Sequence, residues 1–159
     1  MTLNSIGLET SKTKSIAGDL NNLLANFQIY YQNLRGIHWN IKGKRFFDLH
    51  TKFEELYTDA NLKVDEIAER ILTLGGTPLH TFDDYIKAAK VPVGRDVSID
   101  ESAVQLIVSS LSELLKIERQ ILNTSGEAND EGTNAMMSDF ITQQEKTMWM
   151  MKAWLGESI

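Results

Sequence analysis

KRFFDLHTKFEELYTDANLKVDEIAERILTLGGTP, residues 44–78, is the stretch that decides the fold. From Lys44 to Leu74 it contains neither glycine nor proline. Its apolar positions Phe53, Leu56, Tyr57, Ala60, Val64, Ile67, Ala68 and Ile71 recur at the three-to-four spacing of one helical face. Gly75, Gly76 and Pro78 then stop it, the glycine-then-proline order expected at a helix C-terminus. A segment this long predicts an amphipathic helix over 44–74, about 46 Å from end to end at 1.5 Å per residue.

The same spacing appears on both sides of it. Upstream, Ile16, Leu20, Leu23, Phe27, Tyr30, Tyr31 and Leu34 predict a helix over about 15–37. Downstream, Val104, Ile107, Val108, Leu111, Leu114, Leu115 and Ile121 predict a third helix. Ser98-Ile99-Asp100-Glu101 has the form of a capping box at its start, and Gly126 marks its end. A fourth helix is expected over about 133–155, before Gly156. No run alternates with period two, so the chain reads as all-α. Short links at 40–43 and 127–132 predict two antiparallel hairpins. The long link, 75–97, has room for a short extra helix over 82–90. One long crossover among four helices is the ferritin-like bundle rather than the simple up-down-up-down one. The chain is expected to be a single domain over 1–159, with 1–14 a short flexible tail.

Composition narrows the chemistry. The 159 residues carry a formal net charge of −6, which disfavours nucleic acid and favours cations as partners. There is no cysteine, so neither disulfides nor thiolate metal sites are possible and a metal must be held by His and carboxylate. No apolar run approaches the roughly 20 residues that cross a bilayer. The N-terminal stretch lacks the apolar core of a secretory signal, and a cytoplasmic location is the expectation.

Three histidines are present, His38, His50 and His80. On the second helix His50, Glu54, Asp65 and Glu69 fall at about 0°, 40°, 60° and 100° around the axis, one wedge of its surface. A wedge of this kind is a candidate metal stripe, and it is equally the pattern of a solvated acidic face. Distance sharpens the reading. His50 and Asp65 are about 22 Å apart along a straight helix, whereas metal–ligand bonds are about 2 Å. Nor is there a Glu-x-x-His pair, because Arg35, Phe47 and Thr77 stand three before the histidines; the di-metal recipe built inside one bundle needs two such pairs. If the stripe binds metal, His38 and His50 must therefore meet Asp65 and Glu69 of another copy. Two second helices crossing at a twofold axis would form that site twice.

His38-Trp39-Asn40-Ile41-Lys42-Gly43, followed by Leu49-His50 and Glu54, resembles the first signature of the Dps family, ferritin-like proteins named for DNA binding in starved cells. Val64-Asp65-Glu66-Ile67-Ala68-Glu69-Arg70, running on through Leu74-Gly75-Gly76-Thr77-Pro78, resembles the second. The resemblance implies a hollow homododecamer with ferroxidase sites at its twofold interfaces, where His38 and His50 of one subunit face Asp65 and Glu69 of its neighbour. Glu54 would be an additional or supporting carboxylate. It implies Fe(II) as substrate, hydrogen peroxide or oxygen as oxidant, and ferric mineral stored in the cavity. Zinc, cobalt or copper suit the same ligands. The rival reading is a non-enzymatic nucleoid or scaffold shell with a structural or silent metal site.

Other residues carry weaker expectations. Trp39 is placed beside the site by the resemblance, where it would intercept stray oxidising equivalents; sealing a helix–helix interface is the alternative. His80 reads as a polar loop residue, and Arg70 as either an acid's partner or a solvated cation. Glu127, Asp130, Glu131 and Asp139 are candidate pore acids at a threefold axis, although acids near a helix N-terminus also suit its dipole. The family's position for a pore acid within that helix is Ala135 here. Met136, Met137, Met148, Met150 and Met151 read as core packing rather than a metal box. DNA binding is expected to be weak or absent, because the tail offers only Lys12 and Lys14, offset by Glu9.

Overall fold

The computed structural model describes residues 2–159. Five helices follow in order: α1 (Thr10–Asn40), α2 (Phe46–Thr73), α3 (Phe82–Ala88), α4 (Asp100–Glu127) and α5 (Glu131–Trp154). Among the described residues the only β pairing is an isolated bridge between Leu3 and Glu9. Lys63 bonding Gln143 and Arg70 bonding Thr133 set α2 antiparallel to α5, while Glu118 and Gln144 pair midway along α4 and α5. The bundle is thus two hairpins, and α2 runs parallel to α4. That arrangement obliges the connection between them to travel the length of the bundle. The long-crossover, ferritin-like topology expected from the link lengths is the one observed.

The core is the sum of the apolar stripes. Leu20, Leu23, Phe27 and Leu34 of α1 meet Phe53, Ile67 and Ile71 of α2, Ile107, Leu111 and Leu114 of α4, and Met137 and Phe140 of α5. Met137 and Met151 are buried, and Met136 and Met148 pack on the core, as their helical spacing predicts. Two glycines serve different needs. Gly75 takes φ +85° to end α2, a backbone angle that L side chains resist. A Cβ on Gly94 would lie 2.4 Å from Leu106 Cδ2, so any larger residue would have to displace the Leu106 side chain where the crossover meets α4.

How the crossover is held was not foreseen. Three asparagines of α1 hydrogen-bond its backbone. Asn21 Oδ1 accepts from Leu79 N at 2.8 Å. Asn26 Oδ1 accepts from Lys90 N and Val91 N. Asn33 donates to Pro92 O at 2.7 Å and accepts from Gly94 N. A loop pressed on a helix must satisfy its amides somewhere, and these side chains supply what a ladder would otherwise provide.

Two local expectations are corrected. Ser98 does not cap α4, whose N-cap is Ile99 with no side-chain cap. The Ser98 carbonyl instead accepts from Lys42 N at 3.0 Å, tying the α1–α2 turn to the start of α4. The proposed tail is shorter than 1–14, since α1 begins at Thr10 and places Lys12 and Lys14 on a helix. Before it, Asn4 Oδ1 accepts from Ile6 N and Leu8 N, a side-chain turn that folds 2–9 back on itself.

Candidate metal centre

The last turn of α1 and the first turn of α2 are brought side by side by the turn at 41–45, where Gly43 takes φ +121°. This places His38 against His50. Their rings stack with centroids 3.7 Å apart and planes 12° from parallel. Each ring also holds the other residue's backbone: His38 Nδ1 lies 2.7 Å from His50 O, and His50 Nδ1 lies 2.7 Å from His38 O. The His38 carbonyl is one of the last of α1, and the amide four residues on, Lys42 N, is committed to Ser98 O. The partner that a helix end lacks is thus supplied by His50.

The consequence is chemical. A carbonyl only accepts, so each Nδ1 must carry the proton, and in the neutral ring each Nε2 keeps a free lone pair. Backbone carbonyls that fix the tautomer and ring orientation are the usual support of a metal-binding histidine. The pair is held from outside as well. Phe46 stacks on His50 at 4.9 Å, and the Tyr57 ring stands edge-on to His38 at 5.2 Å. His38 is buried and His50 half-buried.

Tyr57 Oη donates to Glu54 Oε1 at 3.2 Å, one turn beyond His50. Desolvation, and then the Glu54 carboxylate beside it, push the Tyr57 phenol above its ordinary range. It therefore stays a donor to Glu54 across the neutral range. Neither the reciprocal histidine bonds nor this pair was anticipated, although Tyr57 stands three residues after Glu54, where helical side chains meet.

Asp65 and Glu69 lie on the far half of α2, both exposed. Within one chain they do not join the histidines. Among the described residues no three His, Asp or Glu side chains gather to hold an ion. The chain brings His38 and His50 together, with Glu54 one turn further along α2, and leaves Asp65 and Glu69 apart from them, as the spacing along α2 requires.

Next to Glu69, Arg70 is largely enclosed and paired. Its Nη2 bonds Asp130 Oδ1 and its Nε donates to Thr133 Oγ1 at 2.9 Å. Asp130, 1% exposed, also caps α5 by accepting from Thr133 N at 3.0 Å. Gly132 makes room for this, because a Cβ there would lie 2.8 Å from Arg70 Nη2. Asp130 must accordingly be withdrawn as a pore acid: a buried carboxylate spent on a guanidinium and a helix N-terminus lines nothing. Glu127, Glu131 and Asp139 are exposed. Trp39 is exposed too, with the Arg35 guanidinium 4.7 Å over its ring, and seals no interface within the chain. His80 sits in the crossover, exposed, with Nδ1 at 3.0 Å from Pro78 O.

These features define a helical bundle with a stacked histidine pair beside one end of α2 and two exposed carboxylates towards the other. Residues 18–158 match the ferritin-like domain family. The chain is 41% identical to a DNA protection during starvation protein of Porphyromonas gingivalis, over 93% of each chain. It superposes with a TM-score of 0.95 and 54% identity on the crystal structure of a Dps protein from Vibrio cholerae O1, a member of a broad superfamily of ferritin-like diiron-carboxylate proteins, covering 98% of both chains. A Dps protein from Bacillus brevis follows with a TM-score of 0.89 and 34% identity, over 93% of this chain and 99% of that one. The chain belongs to the Dps family of ferritin-like proteins.

Proposed function

We propose that the protein is a ferroxidase and iron store that oxidises Fe(II) with hydrogen peroxide, or more slowly with oxygen, and sequesters the ferric product. The observation that carries the reading is the reciprocal His38–His50 lock, which engages both Nδ1 atoms and leaves the Nε2 of each ring oriented for a ligand. Imidazole and carboxylate together suit ferrous iron, and anionic oxygens favour its ferric product more strongly still. Zinc or another divalent ion would occupy the same donors in competition. Two Fe(II) give up one electron each to one peroxide, which with two protons leaves as two waters. What the chain supplies is the holding and orientation of Fe(II).

The site is completed by a second copy: His38, His50 and Glu54 of one subunit meet Asp65 and Glu69 of its neighbour. Separation along α2 supports this, as does the character of α3, which buries none of its residues and presents Phe82 and Ile86 outward. The assembly proposed is a homododecameric shell, with Glu127, Glu131 and Asp139 as candidates for lining its iron entry. DNA binding is weak or absent at physiological salt, since Lys12 is engaged with Glu9 and with the Glu127 carbonyl. Among the described residues no helix is long and apolar enough to cross a membrane.

Stopped-flow mixing of Fe(II) with peroxide tests the reading, together with the mass in solution. The expected result is a mass near twelve subunits and at least a tenfold slower oxidation in His50→Ala and in Asp65→Ala. Oxidation by both variants at the wild-type rate would reject the ferroxidase in favour of a shell with a silent metal site. A stable single subunit would remove the intersubunit centre.

A further inference from the structure

Away from the metal centre, the middle of the bundle holds a carboxyl group that the proposed activity does not use. Glu118 of α4 and Gln144 of α5 are 0% and 5% exposed. Gln144 Nε2 donates to Glu118 Oε1 at 2.6 Å. The other oxygen of each side chain, Glu118 Oε2 and Gln144 Oε1, is enclosed and meets no hydrogen-bond donor of the protein. An ionised carboxylate accepts only, as does an amide oxygen, so ionisation would leave both atoms orphaned. One proton changes this, because it turns Glu118 Oε2 into the donor that Gln144 Oε1 lacks.

We propose that Glu118 is built into the fold as a neutral carboxylic acid whose Oε2–H donates to Gln144 Oε1, closing an acid–amide ring that clamps α4 to α5 and loosens as pH rises. The surrounding charges leave room for the proton. From α2, Lys63 commits its ammonium to Asp59 and Gln143 and lies 5.2 Å from the Phe140 ring centroid. From α4 and α5, Arg119 pairs with Glu145 at 3.3 Å. From α1, the Tyr30 phenol is pushed up by burial and by Asp59 and Glu118. Burial pushes Glu118 up to about 8, against the lowering pull of Gln144, Lys63 and Arg119.

The direction of the pH effect follows. The ordinary value for Glu is 4.5, so between that pH and about 8 the folded protein holds a proton that the unfolded chain has lost. The stabilisation is complete below the ordinary value and disappears as pH passes through about 8. Across the interval the unfolding constant rises about tenfold per pH unit.

The test compares the full-length protein with Glu118→Gln, whose amide reproduces the neutral ring, by guanidinium unfolding from pH 5.5 to 9.5. The ratio of unfolding constants, wild type over variant, should rise about a hundredfold from pH 5.5 to 7.5 and level off above about 8.5. A ratio flat across the range overturns the proposal. Infrared spectra of the wild type labelled with 13C-glutamate give a second reading that needs no variant. A carboxylic-acid C=O band present at pH 6 and lost by pH 9.5 supports the ring, and absence of that band at pH 6 overturns it.

Discussion

Replacing Asp130 separates two accounts of the same acid. In the structure it does three things at 1% exposure: it pairs with Arg70, accepts from the Thr133 hydroxyl and caps α5 through Thr133 N. Asp130→Ala strands a guanidinium that is 20% exposed. Breaking a buried ion pair from one side costs about 3–5 kcal/mol, and the partial exposure of Arg70 places this case near the lower end, about 3 kcal/mol. Loss of the cap adds about 1 kcal/mol. The expected total is about 4 kcal/mol, which at a guanidinium slope of about 4 kcal/mol per molar lowers the midpoint by about 1 M. Asp130→Asn keeps a competent cap and loses the charge, so it should lose about 3 kcal/mol and fall between wild type and Ala. Unfolding at fixed protein concentration measures both, since association contributes to apparent stability. A pore acid would behave in the opposite way, slowing iron uptake in the Asn variant while leaving the midpoint where it was. Midpoint shifts below about 0.2 M in both variants would refute the ion-pair account.

Two further outcomes follow from the packing. Gly132→Ala drives a Cβ to within 2.8 Å of the Arg70 guanidinium and should cost about 1–3 kcal/mol; the loss should shrink below about 1 kcal/mol in an Arg70→Ala background, a coupling that a double-mutant cycle by denaturant unfolding reads directly. Phe53→Ala, which empties a fully buried position on the inner face of α2, should cost about 3–5 kcal/mol, with the midpoint of thermal or chemical unfolding falling accordingly.

The helices were legible because burial imposes a period, and Phe53, Ile67 and Ile71 recur with it. The topology was legible for a different reason: short links at 40–43 and 127–132 leave the chain no choice but hairpins, and only the third link is long enough to cross the bundle. What stayed hidden depends on bonds between distant positions. Asn21, Asn26 and Asn33 look like solvated residues on an amphipathic helix until the crossover's unpaired amides are laid over them. Ser98 has the right neighbours for a capping box, yet its carbonyl is needed by Lys42, and the helix begins one residue later. Asp130 is ambiguous in the sequence because acidity suggests a role without naming a partner. With the start of α5 known, the Asp130-to-Thr133 spacing identifies the cap.

The candidate centre divides along the same line. The sequence places His38, His50, Asp65 and Glu69, and helical rise alone shows that one chain cannot join them. The sequence could not show how each half is held. The histidines are locked by each other's carbonyls and flanked by Phe46 and Tyr57. At the other end of α2, Arg70 follows Glu69 directly and is fastened to Asp130 and Thr133, which anchors the helix segment bearing the carboxylates. Both supports are contacts within one chain. On the proposed intersubunit reading, association then joins two halves already in place and need not order either of them. Such preorganisation spares the entropy that ordering would otherwise take from the binding free energy. It also predicts where damage will act: loosening Arg70 should weaken a site whose histidines are untouched.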